Sequence, residues 1–483
     1  MTDRRPTPPP AGGEASEATR GSVIKLCSEL ASRLLGLLTT PLLTRGLGVD
    51  AFGVFGRLSV TAVIAAEAAE LGLQATASRA LVAHELSLRA MTRAKLTITA
   101  LAVLACLLGV PWAPVFVPLV LFFILAGWSE FLGVALRARG YRARESALIL
   151  ALRLSGFVLV AVALGLRGGL ATVSWAFVAS TVPPILLGMR LLAGTGRGLP
   201  APPDPGVGAI LRASAPLAIN GGLALLSLRV EMLAVSYLRG DRETGLFMAA
   251  LRVIEFLNLV PSAVCAGAMP SLTREAMGGA GDGVRRRTAA TVAFLAAPAA
   301  AGAALVAPGL LSLLFGADYR EAAPCLRILA VAVVPLFLNG VLVSALIAAG
   351  RGPWLPRLTA VRVAVAAALA IALVPRFGAL GAAAGFLASE LLLLLLATRA
   401  CASAGFPVAV AVPAGRALLM TAPMAAMVGL TASPLPVAVG LGFVTYGLTL
   451  ALAWRAVPAL LRDLTGDSRY AEAGRENDRV GGR

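Results

Sequence analysis

Apolar residues in this chain come in long unbroken blocks. Runs such as Leu391 to Leu396 are continuously apolar, whereas the strands of a membrane barrel would alternate with a period of two. A helix that crosses a bilayer needs about 20 mostly apolar residues. Measured against that length, the blocks predict about fourteen transmembrane helices, at 22–44, 54–76, 95–113, 115–136, 146–166, 171–190, 212–238, 244–271, 289–315, 321–350, 357–375, 379–398, 414–432 and 435–456. Pro111, Pro114 and Pro118 interrupt the third and fourth, so that pair also reads as one broken segment. The predicted fold class is an all-α polytopic membrane protein.

Composition agrees, with 58% hydrophobic and only 14% charged residues. Soluble domains carry about a quarter charged residues. The net charge of +17 is spread over alternate loops. Arg4, Arg5, Arg20 and Lys25 lie at the first span. Arg79, Arg89, Arg93 and Lys95 follow the second, Arg137 to Arg144 the fourth, and Arg285 to Arg287 the eighth. The intervening loops hold few basic residues. This is a positive-inside pattern, which predicts a cytoplasmic-membrane protein with both termini in the cytoplasm. It also removes nucleic acid as a partner. Residues 1–21 and 457–483 are polar and read as disordered cytoplasmic tails. The five cysteines have neither metal-ligand nor disulfide-framework spacing, so no metal and no cofactor is expected.

The connection at 191–211, with Pro200, Pro202, Pro203 and Pro205, divides the chain into halves. The halves echo each other. Spans 1 and 2 meet at Arg45-Gly-Leu-Gly-Val-Asp50-Ala-Phe-Gly53-Val-Phe55, and spans 7 and 8 at Arg239-Gly-Asp-Arg-Glu243-Thr-Gly245-Leu-Phe247. Both turns pair a basic residue with acids and enter the next helix through Gly-x-Phe. A repeat offset by six helices predicts two six-helix lobes, 22–190 and 212–398, related by a pseudo-two-fold axis along the membrane normal. Two additional helices, within 414–456, stand outside the repeat.

Ionic side chains inside the spans supply the candidate chemistry, since each costs about 2.5–3.5 kcal/mol at a helix centre. Glu29 and Arg33 lie four apart on one helix face. Glu67, Glu70 and Gln74 share a face of the second span, Arg252, Glu255 and Asn258 a face of the eighth, and Asn220, Ser227 and Glu231 a face of the seventh. Arg229 lies about 200° around from Glu231, so those two need different partners. Gly381 and Gly385 are spaced for a close helix contact. The polar stripes are heaviest on spans 1, 2, 7 and 8, which are equivalent elements of the two repeats. Their placement predicts a central wet cavity.

Several segments, in order along the chain, resemble the bacterial polysaccharide and lipid-linked oligosaccharide flippases of the multidrug/oligosaccharidyl-lipid/polysaccharide exporter superfamily. They are Arg33-Leu-Leu-Gly36, Pro41-Leu-Leu-Thr-Arg45-Gly-Leu-Gly48, Phe52-Gly53, Glu70-Leu-Gly72, Arg229-Val-Glu231, Gly245-Leu-Phe-Met-Ala-Ala250, Leu314-Phe-Gly316 with Tyr319, Leu346-Ile-Ala-Ala-Gly350 and Gly378-Ala-Leu-Gly381. Where this chain has Glu231 the family often carries Asp. The resemblance implies a transporter, not an enzyme, that flips a polyprenyl-diphosphate-linked oligosaccharide by alternating access. Arg33, Arg45, Arg229 and Arg252 would hold the diphosphate, because guanidinium forms bidentate, charge-assisted bonds to phosphate. Glu29, Glu67, Glu70, Glu231 and Glu255 would be coupling or cavity carboxylates, with Gln74, Asn220 and Asn258 as polar lining. The implied partners are membrane lipid, the lipid-linked oligosaccharide and other polysaccharide-assembly membrane proteins, around a monomer. Two alternatives stay open. One is a cation-coupled drug antiporter of the same superfamily, and the other a membrane glycan polymerase or ligase.

Overall fold

The computed structural model describes residues 11–81, 86–109, 113–194, 205–227, 229–278, 283–431 and 434–456. The tail expected at 457–483 lies outside them, as does most of the 191–211 connection. Every described element is helical. In chain order these are α1 (Ala11–Glu70), α2 (Leu73–Ala80), α3 (Leu88–Gly109), α4 (Phe116–Ala138), α5 (Arg142–Gly165), α6 (Leu170–Ser180), α7 (Val182–Ala193), α8 (Val207–Ser227) and α9 (Val230–Leu238). There follow α10 (Asp241–Leu257), α11 (Leu259–Ala276), α12 (Gly283–Leu305), α13 (Ala307–Phe315), α14 (Ala323–Ala348), α15 (Leu355–Ser403), α16 (Ala411–Thr431) and α17 (Leu435–Ala456). Helix already begins at Ala11, not at residue 22 as the polar composition suggests. The Pro-rich run ends at Pro10, and good helix formers (Glu14, Ala15, Glu17, Ala18) follow it.

Among the described residues, 11 helical segments are long and apolar enough to cross a membrane. Two of the longest, Leu34–Glu70 and Gly352–Ser403, far exceed one crossing, and each is broken by a glycine. Gly48 (φ 78°) interrupts α1, and Gly378 (φ 57°) interrupts α15. These breaks fall where the hydrophobic pattern ends one predicted span and opens the next. Other breaks fall within predicted spans. Leu71 and Gly72 (φ 50° and 71°) separate α1 from α2, Arg229 (φ −130°) separates α8 from α9, and Asn258 separates α10 from α11. Each of these three breaks has an ionisable or amide side chain beside it. Such irregular backbone survives at membrane depth only where protein or water satisfies it.

The chain forms two compact units. One comprises Met1–Gly48 and Leu58–Gly222, the other Val49–Arg57 and Leu223–Arg483. In the first, α4 is the hub against which α3, α5, α6 and α7 pack. Leu73, Ala77, Met91, Ala94, Phe131 and Ile210 form its main apolar cluster. Thr76 donates a 2.7 Å hydrogen bond to Ser214, tying α2 to α8. In the second unit, α14 packs against both α12 and α15. The two extra helices attach there: α16 packs on α12, and the Tyr446 hydroxyl of α17 donates to the Phe294 carbonyl at 2.7 Å.

Segment 49–57 belongs to the second unit because the two echoing motifs pack on each other. A Cβ on Gly53 would overlap the Asp241 carbonyl and come within 3.1 Å of the Gly245 nitrogen. Reciprocally, a Cβ on Gly245 would press on the Val49 carbonyl and lie 3.3 Å from the Gly53 nitrogen. Each glycine thus meets the residue four positions before the other. This i-to-j, j-to-i pattern is the mark of a local two-fold contact. Arg57 seals it with a 2.9 Å ion pair to Asp241.

Helix α15 folds back on itself around Gly378. A Cβ on Gly381 would lie 2.5 Å from the Leu373 carbonyl, and one on Gly385 would lie 3.5 Å from the Leu369 Cβ. The partner falls in number as the glycine rises, so the halves run antiparallel, with the small-residue contact the spacing predicted. The turn is capped from outside. Arg239 donates to the Pro375 carbonyl at 3.4 Å, and Glu243 accepts from the Ala379 N–H at 2.7 Å. Arg239 and Glu243 pair with each other at 3.0 Å. Together they satisfy both sides of a break that leaves backbone groups unpaired.

Gly378→Ala is expected to lower the thermal midpoint in detergent more than Glu243→Ala does. The first forces a Cβ into φ 57° and into the Glu243 carboxylate. The second removes one helix cap, of about 1 kcal/mol. Equal midpoints for wild type and Gly378→Ala would contradict the capped-turn account.

Candidate functional site

The breaks after α8 and after α10 bring three ionic groups of the second unit together. Arg229 stands at the N-terminal end of α9, outside helical geometry. Arg252 and Glu255 sit one turn apart near the end of α10, on one face. Glu255 Oε2 accepts from Arg252 Nη1 at 2.6 Å, while Glu255 Oε1 lies 3.6 Å from Arg229 Nη1. One carboxylate therefore serves two guanidinia and leaves one positive charge over. The Arg229 Nε–H is buried with no hydrogen-bond partner among the described residues. Met232, Met248 and Leu251 complete the lining of a small cleft around these groups. Its ionic side chains stay 25–40% exposed, unlike those of the buried Arg362–Glu390 pair. The cleft presents a surplus cation and an idle N–H donor, so it suits an oxyanion.

Glu231, two residues beyond Arg229, faces another neighbourhood, as the helical angle required. It is buried and feels the charges of Arg362 and Glu390 on α15. Arg362 Nη1 donates to Glu390 Oε1 at 2.7 Å, and Asn339 Nδ2 of α14 donates to Glu390 Oε2 at 2.8 Å. Glu231 Oε1 has no partner among the described residues. Arg362, Glu390 and Asn339 are buried and bonded to one another, with Glu231 beside them. The three come from α14 and from both arms of α15, so no single-helix stripe revealed the group.

In the first unit, Glu70 ends α1 beside the Leu71–Gly72 break and pairs with Lys95 of α3 at 2.5 Å. Both are buried. Gly127 on α4 leaves room for the pair, since a Cβ there would overlap Glu70 Oε1 and lie 3.0 Å from Lys95 Nζ. Glu67 is half-buried one turn earlier, and Glu130 of α4 lies within electrostatic reach of both acids. Position alone makes Lys95 a loop charge at the start of a span. In the structure it stands two turns inside α3, and it is the partner that Glu70 lacks on its own helix. A clue was there: Lys95 is one of only two lysines in a chain rich in arginine, and it directly precedes an apolar run.

Other expectations change. Gln74 is half-buried on α2, but the break at Leu71–Gly72 interrupts the face it was to share with Glu67 and Glu70. The face of Asn220, Ser227 and Glu231 is likewise cut, because α8 stops at Ser227 and α9 restarts at Val230. Asn258 caps the junction of α10 and α11, where its carbonyl accepts from the Ser262 hydroxyl at 2.7 Å. Arg45 is exposed three residues before the Gly48 break, in the turn between spans where the hydrophobic pattern puts it. Glu29, Arg33 and Asn220 lie on described helices, but their side chains are outside the described set.

Known proteins place this architecture. No family model matches the chain, and no curated protein matches it in sequence. Solved structures do. A lipid II flippase, MurJ, in an inward closed conformation superposes with a TM-score of 0.73 at 11% identity, over 90% of this chain and 99% of that one. An inward-facing multidrug resistance MATE family transporter of the MOP superfamily gives 0.60 at 16% identity, over 80% and 99%. A MOP superfamily transporter from Pyrococcus furiosus, whose binding pocket is described as of reversed polarity, gives 0.51 at 16% identity, over 80% and 96%. The chain is a multi-pass membrane protein that shares the fold of MurJ and the MATE proteins.

Lys95→Met should strand the buried Glu70 carboxylate and destabilise the first unit by about 3–5 kcal/mol. Adding Glu70→Leu should recover most of the loss. Thermal unfolding of the single and double variants in detergent checks this, and a Lys95→Met protein as stable as wild type would rule the pairing out.

Proposed function

We propose that the protein flips a polyprenyl-diphosphate-linked oligosaccharide across the cytoplasmic membrane, with both termini inside. The observation that carries this reading is the Arg229–Glu255–Arg252 cleft, a half-exposed site with surplus positive charge, set at two helix breaks within the spans. Broken helices at membrane depth are where transporters of this plan bind cargo. Guanidinium is the group best suited to a planar, multidentate grip on phosphate oxygens. The structural likeness to a lipid II flippase supports the same cargo class. Alternating access would expose the headgroup to one face and then the other. The acyl chain would stay in lipid throughout. No catalytic step is involved.

A second reading has its own observation. Glu67, Glu70 and Glu130 lie within electrostatic reach of one another in the first unit, with Lys95 bonded to Glu70 alone. Such a group could carry a proton or bind a cationic drug, as a MATE-type antiporter would require. The two readings separate cleanly. On the flippase reading, Arg229→Gln and Arg252→Gln each slow transbilayer movement of a fluorescent prenyl-diphosphate glycan in proteoliposomes by about tenfold or more. A charge-assisted hydrogen bond is worth about 1.5–3 kcal/mol. Deletion of the gene should leave lipid-linked glycan on the inner leaflet. If both arginine variants move the lipid at the wild-type rate while Glu67→Gln abolishes ethidium efflux, the antiporter reading replaces this one.

A further inference from the structure

We infer that Glu255 is an internal counter-ion that the cargo headgroup must displace, and that this exchange admits diphosphates while rejecting the single-charge phosphodiesters of bulk lipid. The inference rests on the anionic-lipid reading above and adds the basis of its selectivity.

Glu255 points a different oxygen at each arginine: Oε2 at Arg252, at hydrogen-bond distance, and Oε1 at Arg229, at 3.6 Å. The second contact is an ion pair without a hydrogen bond. Arg229 also keeps a buried Nε–H with no acceptor among the described residues. Glu255 therefore satisfies the pair incompletely, and the unmet need is for an acceptor oxygen on the Arg229 side. All three side chains are only partly covered by protein, so Glu255 has room to swing aside.

Charge decides which headgroup can take its place. With Glu255 withdrawn, the two guanidinia present two positive charges. A phosphodiester brings one negative charge, the same as the carboxylate it removes. It gains nothing electrostatically and must compete with a side chain already tethered one helical turn from Arg252. A diphosphate diester carries one charge on each phosphate. It spans the two guanidinia as Glu255 does, neutralises both, and supplies extra oxygens for the idle Nε–H. Selectivity then comes from an element that works against the wrong ligand as well as from contacts to the right one. The design fits a carrier immersed in anionic phosphodiester lipid, which any bare pair of arginines would bind without discrimination.

The same exchange helps release. When the headgroup departs, Glu255 returns to the arginines, so neither guanidinium is left uncompensated in the membrane. Glu255 is thus a positioning and selectivity residue, not a catalytic one.

The test measures binding to purified full-length protein in detergent, with three probes: farnesyl-diphosphoryl-N-acetylglucosamine, dihexanoyl phosphatidylglycerol and inorganic pyrophosphate. Wild type should prefer the prenyl-diphosphate sugar to phosphatidylglycerol by more than about tenfold. Glu255→Gln should bind phosphatidylglycerol at least about tenfold more tightly, so that the preference narrows, and should slow release of the diphosphate probe. Glu255→Asp should keep the wild-type preference. Retained diphosphate binding by Glu255→Gln shows that it is folded. Phosphatidylglycerol affinity unchanged in Glu255→Gln overturns the counter-ion role while leaving the arginine site intact. Wild-type diphosphate binding by Arg229→Gln and Arg252→Gln overturns the arginine site itself, a distinguishable failure. Inorganic pyrophosphate that competes as well as the prenyl probe assigns the site to a soluble diphosphate and overturns the lipid cargo.

Discussion

An ion in hydrocarbon must find a partner or water, and nearly every irregularity in this structure answers that requirement. Three solutions appear side by side. Glu70 and Lys95 are fully buried and bonded to each other, in room left by a glycine. Glu390 is bonded on both oxygens, by Arg362 and by Asn339. Arg229, Arg252 and Glu255 remain partly exposed, share one carboxylate, and leave a donor unused. The first two arrangements are buried within protein, although Asn339 Oδ1 and Glu231 Oε1 beside Glu390 find no partner among the described residues. The third is both unfinished and partly exposed, and that combination is what a ligand needs.

Backbone breaks follow the same logic. A helix that stops at membrane depth leaves carbonyl and N–H groups without partners, which lipid cannot supply. Gly378 lies between two predicted spans, and protein closes its break, with Arg239 on one side and Glu243 on the other. At Arg229 and Asn258 the breaks instead adjoin the ionic cleft. Structural and functional breaks are thus distinguished by what surrounds them. A capped break makes a rigid turn, and one opening onto charged, solvated side chains makes a place where a polar headgroup can rest.

The reciprocal packing of Gly53 and Gly245 gives the internal repeat a physical meaning. Two short motifs that match weakly in letters are held together by a contact only glycine permits, with each motif playing the same role toward the other. This explains why residues 49–57 join the second unit, although the apolar block they open continues into the first. Chain continuity and packing are different properties, and a hydrophobicity profile reports only the first.

Hydrophobic length and charge spacing along one helix were enough to read the membrane class, the all-helical fold and the close contact at Gly381 and Gly385. Lipid forces every crossing to be apolar and of one length, which writes the fold class into local sequence. The pairing of Arg252 with Glu255 was legible for the same reason, since residues three apart on a helix are neighbours. Tertiary structure alone decided the rest. Lys95 looked like a loop charge until α3 carried it to Glu70, and Arg362 met Glu390 only because α15 folds back at Gly378. The helical register through Glu67, Glu70 and Gln74 is interrupted at Leu71 and Gly72, whose positive φ angles no periodicity shows. Periodicity knows the face of a helix but not the helix that will cover it, and ionic partners in a membrane are chosen by that second helix.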